Sequence, residues 1–322
     1  MFAYLIEKIE KSEYKKEPFS HIYIEDFFTE EDFRKITSSK EINLKESIDD
    51  EDLFNRLFDN HYRIVNFPGC VTNKSDYIKW HKNEESIDHN SACESAGMTL
   101  RLDPKDEFLK KVSKFFTGEE FNKAIAKKFN INFSECYIDG GIQKYLDGYE
   151  ISPHPDLRRK AATFMVNINP HSGSEGLNHH THYLKFNKDR EYIKHFWEGN
   201  PDAERPWVPW DWCESSYQQT KNNSIVIFSP SNDTLHAVKA DYDHLVGQRT
   251  QLYGNLWYSD AKDQNIYTWE DFDRLHDIDS LYASTGSNND YRTLLAKIIP
   301  NSARIMLKKI RHGGNYYHRD ND

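Results

Sequence analysis

The sequence predicts a mainly β fold with flanking helices, and two features of its 322 residues lead to this prediction. Between residues 135 and 260, short segments rich in β-branched and aromatic residues follow one another, with turn residues and no regular helices between them. Such a series is typical of a β-sandwich or barrel. Amphipathic helical patterns precede and follow this region, so we expect helices to flank the sheets.

The N-terminal region, residues 1–134, is expected to support the sheets with helices and one strand. The segment HIYI, at 21–24, is short and apolar, which is typical of a strand. Thr29 followed by two glutamates predicts a helix start, because the Thr side chain caps backbone N–H groups and acidic residues favour the first turn. Residues 40–60 and 104–130 have charged helical patterns, with apolar residues at helical spacing in the second.

The core region, residues 135–260, contains most of the predicted strands. They are ECYIDGGIQKYLDG, ISPHPDL, AATFMVNIN, THYLKF, NSIVIFSP, TLHAVKA and RTQLYGNLWYS. A polar, Trp-rich insert at 187–222 separates the fourth segment from the fifth. We expect this insert to form either a lid over the site or a separate packed cluster.

Residues 261–322 return to amphipathic helical patterns, interrupted at Pro300. These C-terminal helices are expected either to pack against the β region or to form a homodimer interface. We expect all three regions to make one structural unit.

Composition and charge limit the partners. The net charge of −10 gives the chain no general attraction for nucleic acid or for an anionic membrane surface. No segment approaches the roughly 18 apolar residues of a membrane span, and the first residues lack the apolar core of a signal peptide. The four cysteines form no CxxC pair, so we expect free thiols, a disulfide being the alternative. These features favour a soluble cytoplasmic protein.

The segment ISPHPDL places His154 and Asp156 two positions apart. Because alternate side chains of a strand leave the same face, the imidazole and the carboxylate can converge on one metal ion. His236, at the start of a later predicted strand, is the candidate third ligand. Two histidines and one carboxylate form the facial triad of non-haem Fe(II) oxygenases. The alternatives are an ordinary turn at HPD and a buried core histidine at His236.

Arg249 opens the predicted strand that follows His236. A buried arginine needs an anion, and its guanidinium fork holds a carboxylate through two hydrogen bonds. A dicarboxylate cosubstrate would chelate the metal at one end and pair with Arg249 at the other. The alternative partner of Arg249 is a nearby acidic residue, Asp241 or Asp243.

These motifs together resemble the Fe(II)/2-oxoglutarate-dependent oxygenases of the prolyl 4-hydroxylase-like branch. EPFSHIYIEDFFTEEDF resembles their opening strand and helix, and KYLDGYEISPHPD resembles their tyrosine, glycine and HxD pattern. AATFMVNIN resembles the strand after the HxD motif, and IVIFSPSNDTLHAV the strand and turn before the distal histidine. The resemblance covers about residues 135–258, with a weaker match at 17–37.

The resemblance implies a double-stranded β-helix, or jelly roll, of the cupin-like type. It implies that His154, Asp156 and His236 hold iron and that Arg249 pairs with the distal carboxylate of 2-oxoglutarate. Further contacts to 2-oxoglutarate are implied for Tyr145, Thr163, Asn167 and Gln251. Family members more often have tyrosine at the third of these positions and serine at the fourth.

The resemblance also implies the reaction. An unactivated C–H bond is hydroxylated with O2, and 2-oxoglutarate is converted to succinate and CO2. The carboxylate of Asp156 favours hydroxylation, since related halogenases have Gly or Ala there. The implied substrate is a small molecule, an amino acid or a peptidyl, prolyl-type group. Two alternatives come from other classes: a catalytically inactive jelly-roll binding module and a cupin-like metalloenzyme without a cosubstrate.

Two groups of residues are candidate substrate contacts. Arg158 and Arg159, followed by Lys160, come directly after Asp156 and form either a solvated loop or a basic rim for an acidic or phosphorylated group. The other group lies on the strand of Arg249. Asn255 and Trp257 alternate with Arg249 on that strand, so they share its face as substrate contacts or as core residues.

A histidine cluster lies at the start of the segment THYLKF and comprises His179, His180 and His182. Three histidines in four residues suggest a second metal site, and the alternative is the start of a core strand at Thr181 or His182. We favour the strand start, with His182 as a candidate substrate contact.

Overall fold

A computed structural model of the protein describes residues 1–67, 69–82, 95–261 and 264. The helices in these residues are α1 (Ala3–Lys11), α2 (Glu30–Thr37), α3 (Asp50–Asp59), α4 (Lys74–His81), α5 (Glu107–Phe116), α6 (Glu119–Lys128) and α7 (Tyr192–Gly199). The strands are β1 (Ile22–Ile24), β2 (Tyr62–Ile64), β3 (Ser95–Ala96), β4 (Thr99–Leu102), β5 (Cys136–Tyr145), β6 (Glu150–His154), β7 (Lys160–Asn167), β8 (Thr181–Phe186), β9 (Cys213–Gln218), β10 (Ile225–Phe228), β11 (His236–Lys239) and β12 (Arg249–Tyr258). Of the described helices, none has the length and apolar character needed to cross a membrane.

The strands form two antiparallel sheets. The larger sheet has seven strands in the order β1-β10-β7-β12-β5-β4-β2, and the smaller has five in the order β3-β6-β11-β8-β9. Helices flank the larger sheet. The predicted mainly β architecture with flanking helices is therefore confirmed.

The two faces of the larger sheet have different partners because side chains alternate along each strand. On β7, Phe164 and Val166 point to one face and pack in the large cluster that includes residues of α1, α2, α3, α5 and α6. Met165 points to the opposite face and packs against Tyr183 of β8, in the smaller sheet. The space between the sheets is therefore lined by every second residue of β7 and β12, and the candidate site lies there.

Local signals set several helix boundaries. Thr29 caps α2, as predicted, because its side chain accepts a hydrogen bond from the N–H of Asp32 at 3.2 Å. The predicted helix at 40–60 is shorter than expected, since it begins only at Asp50 with Asp49 as its N-cap. The predicted helical region at 104–130 is two helices, α5 and α6.

Four strands, β2, β3, β4 and β9, were missed from the sequence. β2 and β4 belong to the N-terminal region but extend the larger sheet, and β2 has only three residues, too few for a periodic pattern. β9 lies in the predicted insert and pairs with β8. Its side chains are mostly exposed, so this edge strand lacks apolar alternation.

Some predictions fall wholly or partly outside the described residues. The C-terminal helices and their homodimer interface, predicted at 261–322, lie there apart from residues 261 and 264. Cys136 and Cys213 are free thiols, Cys70 Sγ donates to the carbonyl of Ala96 at 3.3 Å, and Cys93 lies outside the described residues.

A buried ion-pair network joins the helices to the loops near the site. The His81 imidazole contacts two carboxylates, Asp50 through Nδ1 and Asp147 through Nε2, both at 3.0 Å. His244 Nε2 contacts the other oxygen of Asp50 at 2.9 Å. The hydrogen bonds to Asp147 and then Asp50 raise the pKa of His81 to about 9. This charged imidazole therefore ties α3 and α4 to the β5–β6 turn.

The raised pKa of His81 predicts a loss of stability at alkaline pH. The contribution of His81 is fully present below its unfolded pKa of about 6.5 and disappears as pH rises through about 9. We expect wild type to exceed His81→Gln in unfolding free energy at pH 6.5, and this difference to shrink by on the order of 2 kcal/mol by pH 9.5. Urea unfolding at the two pH values measures it.

The unfolding free energy of wild type is compared with that of His81→Gln because the titration of Lys144 also changes stability in this pH range, with the opposite sign. Burial lowers the pKa of Lys144 to about 7, so its effect on stability improves as pH rises. The control is His195→Gln, which changes an exposed histidine that contacts only Glu198. If the difference in unfolding free energy between wild type and His81→Gln stays constant with pH, the stabilising role of charged His81 is contradicted.

Candidate metal centre

The centre of the site lies where β6 ends and β11 begins. His154 is the last residue of β6, His236 is the first residue of β11, and the two are direct partners in the antiparallel register. Directly paired residues project to the same side of a sheet, so the two rings meet with their centroids 4.3 Å apart. Strand pairing therefore brings these two predicted ligands together.

Asp156 reaches the same point through a turn. β6 ends at His154, and Asp156 has a φ of 68°, in the left-handed region. Its Oδ1 lies 3.5 Å from His154 Nε2, and its Oδ2 lies 3.9 Å from His236 Nε2. The strand alternation expected from the sequence is thus replaced by a turn, which folds the carboxylate back toward both rings.

Both imidazoles are oriented by backbone carbonyls. His154 Nδ1 lies 2.9 Å from the carbonyl of Ser152, and His236 Nδ1 lies 3.0 Å from the carbonyl of Thr234. A carbonyl only accepts, so each Nδ1 carries a proton, and each Nε2 faces the point that it shares with the Asp156 carboxylate. Burial, together with the neighbouring His154, lowers the pKa of His236 to about 3 and keeps it neutral. Neutral imidazole is the form that binds metals.

The Asp156 carboxylate is buried and ionised. Lys160 Nζ donates to Oδ1 at 2.6 Å, and Thr163 Oγ1 donates to Oδ2 at 2.7 Å. Burial by itself raises the pKa of Asp156, but the Lys160 ammonium beside it opposes burial, and the pKa is held well below its usual range. The structure therefore supplies two imidazole nitrogens and one anionic oxygen facing one point.

Lys160 is the functional residue that the sequence interpretation assigned differently. We expected it in a basic rim or solvated loop, but its side chain is only 10% exposed and points at Asp156. Its Nζ also lies 3.3 Å from the hydroxyl of Tyr253. The available signal was its position as the first residue of β7, directly before a mostly apolar run.

Arg249 is buried with an incomplete set of partners. Its Nη2 donates to Thr181 Oγ1 at 2.9 Å, and its guanidinium lies 4.6 Å from the centre of the Tyr145 ring. Its Nη1 is buried and has no hydrogen-bond partner. Within the part of the chain that the structure describes, Arg249 forms no ion pair, so the alternative pairing with Asp241 or Asp243 is not made. The guanidinium therefore still lacks an anion.

Arg249 shares the inner space with the triad. Thr181, its hydrogen-bond partner, lies opposite Val238 on β11, two residues beyond His236. Two residues of a strand span about 7 Å. A short dicarboxylate therefore has the length to reach from the triad to the guanidinium.

Tyr145 also lies beside this guanidinium. Its hydroxyl is 2.6 Å from the side-chain amide of Gln143. With that amide turned so that its oxygen accepts from Arg101 at 2.8 Å, its nitrogen donates to the Tyr145 hydroxyl. The Tyr145 proton is then available for a further acceptor.

The other predicted cosubstrate contacts divide into two places. Thr163 lies at the metal centre, on Asp156 and 3.0 Å from Asn255 Oδ1, and so orients the carboxylate. Asn167 and Gln251 lie at the other end of β7. There Gln251 donates to Asn167 at 2.7 Å, and Asn167 donates to the carbonyl of Gln219 at 2.7 Å. This amide pair is therefore bonded within the sheets.

The predicted substrate residues after Asp156 are tied to the protein. Arg158 donates to the carbonyls of Ala203 and Trp197, both at 2.7 Å, so it anchors the insert and does not form a free basic rim. Arg159 lies over the ring of Trp257, 5.5 Å from its centre. These contacts correct the expectation of a basic substrate rim.

His182 faces away from the metal centre. It pairs with Ala237, whereas the adjacent Tyr183 pairs with His236. Neighbouring residues of a strand project to opposite faces, so His182 lies on the outer face of the smaller sheet, where it contacts Ser215 at 3.0 Å. The expected substrate contact at His182 is therefore wrong. The strand does begin at Thr181, as one alternative had it.

Among the described residues, two groups of three side chains have metal-ligand geometry. In the network of Asp50, His81 and His244, both nitrogens of each histidine already have partners, so it is complete without an ion. The three histidines at 179–182 form no such group. The triad at the end of β6 is the group whose two Nε2 atoms face inward with no partner outside the triad, and this donor set fits a divalent iron ion.

Comparisons with known proteins give remote likenesses. No family model and no curated protein matches the chain. Among solved structures, a prolyl-4-hydroxylase from Pseudomonas putida is similar at 10% identity, covering 80% of this chain and 98% of that one, with a TM-score of 0.38.

A second similar structure is a prolyl hydroxylase from Trichoplax adhaerens, in complex with a hypoxia inducible factor oxygen degradation domain peptide fragment. Its identity is 9%, its TM-score is 0.39, and the match covers 80% of this chain and 89% of that one. At these identities and TM-scores, the roles of the site residues rest on the geometry of the site itself.

The geometry predicts which histidine is needed for metal binding. We expect His236→Ala to weaken binding of Mn(II) by at least about 100-fold, because it removes one of three ligands. The matched control is His182→Ala, which removes a histidine from the opposite face of the same sheet. Isothermal titration calorimetry of each variant measures the affinity. Equal affinities in the two variants would show that the ion binds elsewhere. Asp50→Asn then tests the group of Asp50, His81 and His244.

Proposed function

We propose that the protein is an Fe(II)/2-oxoglutarate-dependent oxygenase that hydroxylates a C–H bond. The observation that carries the proposal is the buried Arg249, whose Nη1 lacks a partner, in the same inner space as a triad of two histidines and one carboxylate. The two facing antiparallel sheets are consistent with a double-stranded β-helix, which forms part of the proposal. It covers small-molecule, amino-acid and peptidyl substrates alike.

When bound, iron and 2-oxoglutarate supply the oxidising chemistry, with O2 consumed and succinate and CO2 released. The chain holds them. His154, Asp156 and His236 are the proposed iron ligands, and their orientation is fixed before binding by carbonyls, Lys160 and Thr163. A site that is arranged in advance spends no binding free energy on ordering its ligands.

Arg249 is the proposed partner of the distal carboxylate of 2-oxoglutarate. A guanidinium buried without an anion is unfavourable, so a carboxylate with two oxygens matches what this site lacks. Thr181 holds the guanidinium through Nη2 and leaves Nη1 for the anion. The Tyr145 hydroxyl adds a second donor beside it.

The proposal predicts a spectroscopic signal that needs no substrate. Anaerobic protein loaded with Fe(II) should develop the weak visible charge-transfer band of a chelated 2-oxoglutarate. Arg249→Ala should raise the concentration of 2-oxoglutarate that gives half of this band by on the order of 100-fold, because a buried ion pair is removed. Arg249→Lys should recover only part of the affinity, since an ammonium lacks the fork.

The control for this titration is Arg63→Gln, which removes an exposed arginine on β2. A folded, iron-loaded protein without the band would favour the inactive binding module. An activity that depends on iron and is unchanged by Arg249→Ala would favour the cupin-like metalloenzyme without a cosubstrate.

A further inference from the structure

One segment of the insert lies directly against the metal centre. The N–H of Val208 donates to the carbonyl of Pro153 at 2.8 Å, next to His154. Four residues earlier, Glu204 Oε1 accepts from the N–H of Arg158 at 2.9 Å, two residues after Asp156. The segment 203–208 is therefore fixed at both ends to the stretch that carries two of the three proposed ligands.

Arg205 lies between these two anchors. It is only 5% exposed, yet its Nε is buried with no partner. Among the described residues its side chain forms no ion pair, whereas its backbone N–H donates to Glu204 Oε1 at 2.8 Å. Arg205 and Arg249 are the two arginines in the described ranges that have a buried nitrogen without a partner.

The surroundings of Arg205 place its charge beside the triad. Burial, and then Arg158, lower the pKa of Arg205 to about 10, whereas Glu204, Asp156 and Asp233 raise it. Asp156 is itself one of the three proposed ligands, and Asp233 lies three residues before His236 in the chain. Neither forms an ion pair with the guanidinium, which therefore remains without a direct counter-ion.

We infer that Arg205 binds an anionic group of the substrate, a carboxylate or a phosphate, and so holds the target C–H bond beside the metal. This inference rests on the proposed oxygenase function. Arg249 is occupied by the cosubstrate in that proposal, which leaves Arg205 as the second buried guanidinium in need of an anion. The substrate is thus one that carries an acidic group.

The first test measures anion binding by the full, metal-free chain in an Arg249→Gln background, where, among the described residues, Arg205 is the remaining arginine with a buried nitrogen that lacks a partner. The probes are acetate and inorganic phosphate, compared with chloride at equal ionic strength. We expect a saturating probe to raise the melting temperature by about 2–4 °C. The probe with the larger rise distinguishes a carboxylate site from a phosphate site.

The rise should disappear when Arg205→Gln is added and persist when Arg63→Gln is added in its place. Arg205→Lys should keep part of the rise, because it retains the charge, and circular dichroism checks that each variant is folded. An equal rise with and without Arg205, or no rise with either probe, would overturn the inference.

The second test uses the full chain loaded with iron and 2-oxoglutarate and measures succinate release with paired compounds, such as amino acids with their amides and sugar phosphates with their sugars. We expect stimulation by the acidic members, with a KM about 100-fold higher in Arg205→Gln and unchanged in Arg63→Gln. Equal stimulation by the uncharged members would overturn the inference. The charge-transfer band tests the oxygenase function separately. The melting experiment tests anion binding by Arg205 and does not depend on the oxygenase function.

Discussion

The rest of the site depends on the ion pair between Lys160 and Asp156 inside the β-sandwich. An ionised carboxylate between two sheets is strongly unfavourable unless a cation and hydrogen bonds compensate it. Lys160 supplies the cation, and Thr163 supplies a hydrogen bond to the other oxygen. Asp156 therefore stays charged and in place, and the two imidazoles face a carboxylate whose position is already fixed.

The contrast among the buried charges explains what the site can bind. Asp156 has a full set of partners, so its position is fixed before any ligand arrives. Arg249 and Arg205 each keep a buried nitrogen without a partner. A folded protein rarely leaves such groups unpaired, so each marks a place where a ligand completes the hydrogen bonding. A metal cation at the triad, one anion at Arg249 and one anion at Arg205 would occupy the three positions.

Two further arrangements hold this site within the fold. The network of Asp50, His81 and Asp147 joins the helices to the turn that leads into β6. On the other side, Arg158 binds carbonyls of the insert and fixes it against the HxD stretch. The insert was expected as a lid or a separate cluster, and its segment at 203–208 is instead attached beside the triad.

The sequence by itself determined the class of fold and the residues that meet at the metal centre. Strand periodicity predicted the mainly β core. Residue types and their places on the predicted strands predicted that His154, Asp156 and His236 share a site. It also identified Arg249, since a charged residue at the head of an apolar strand needs an explanation that the local pattern does not supply.

Only the tertiary structure decided the partners of these residues. Strand register and contacts between segments far apart in the chain decide three placements. Lys160 points inward, His182 faces outward, and Arg205 lies near Asp156. Register is set by which strands pair, and a shift of one residue would exchange the two faces. Local periodicity contains no information about that pairing. The proposed ligands could therefore be predicted from the sequence, whereas their neighbours required the tertiary structure.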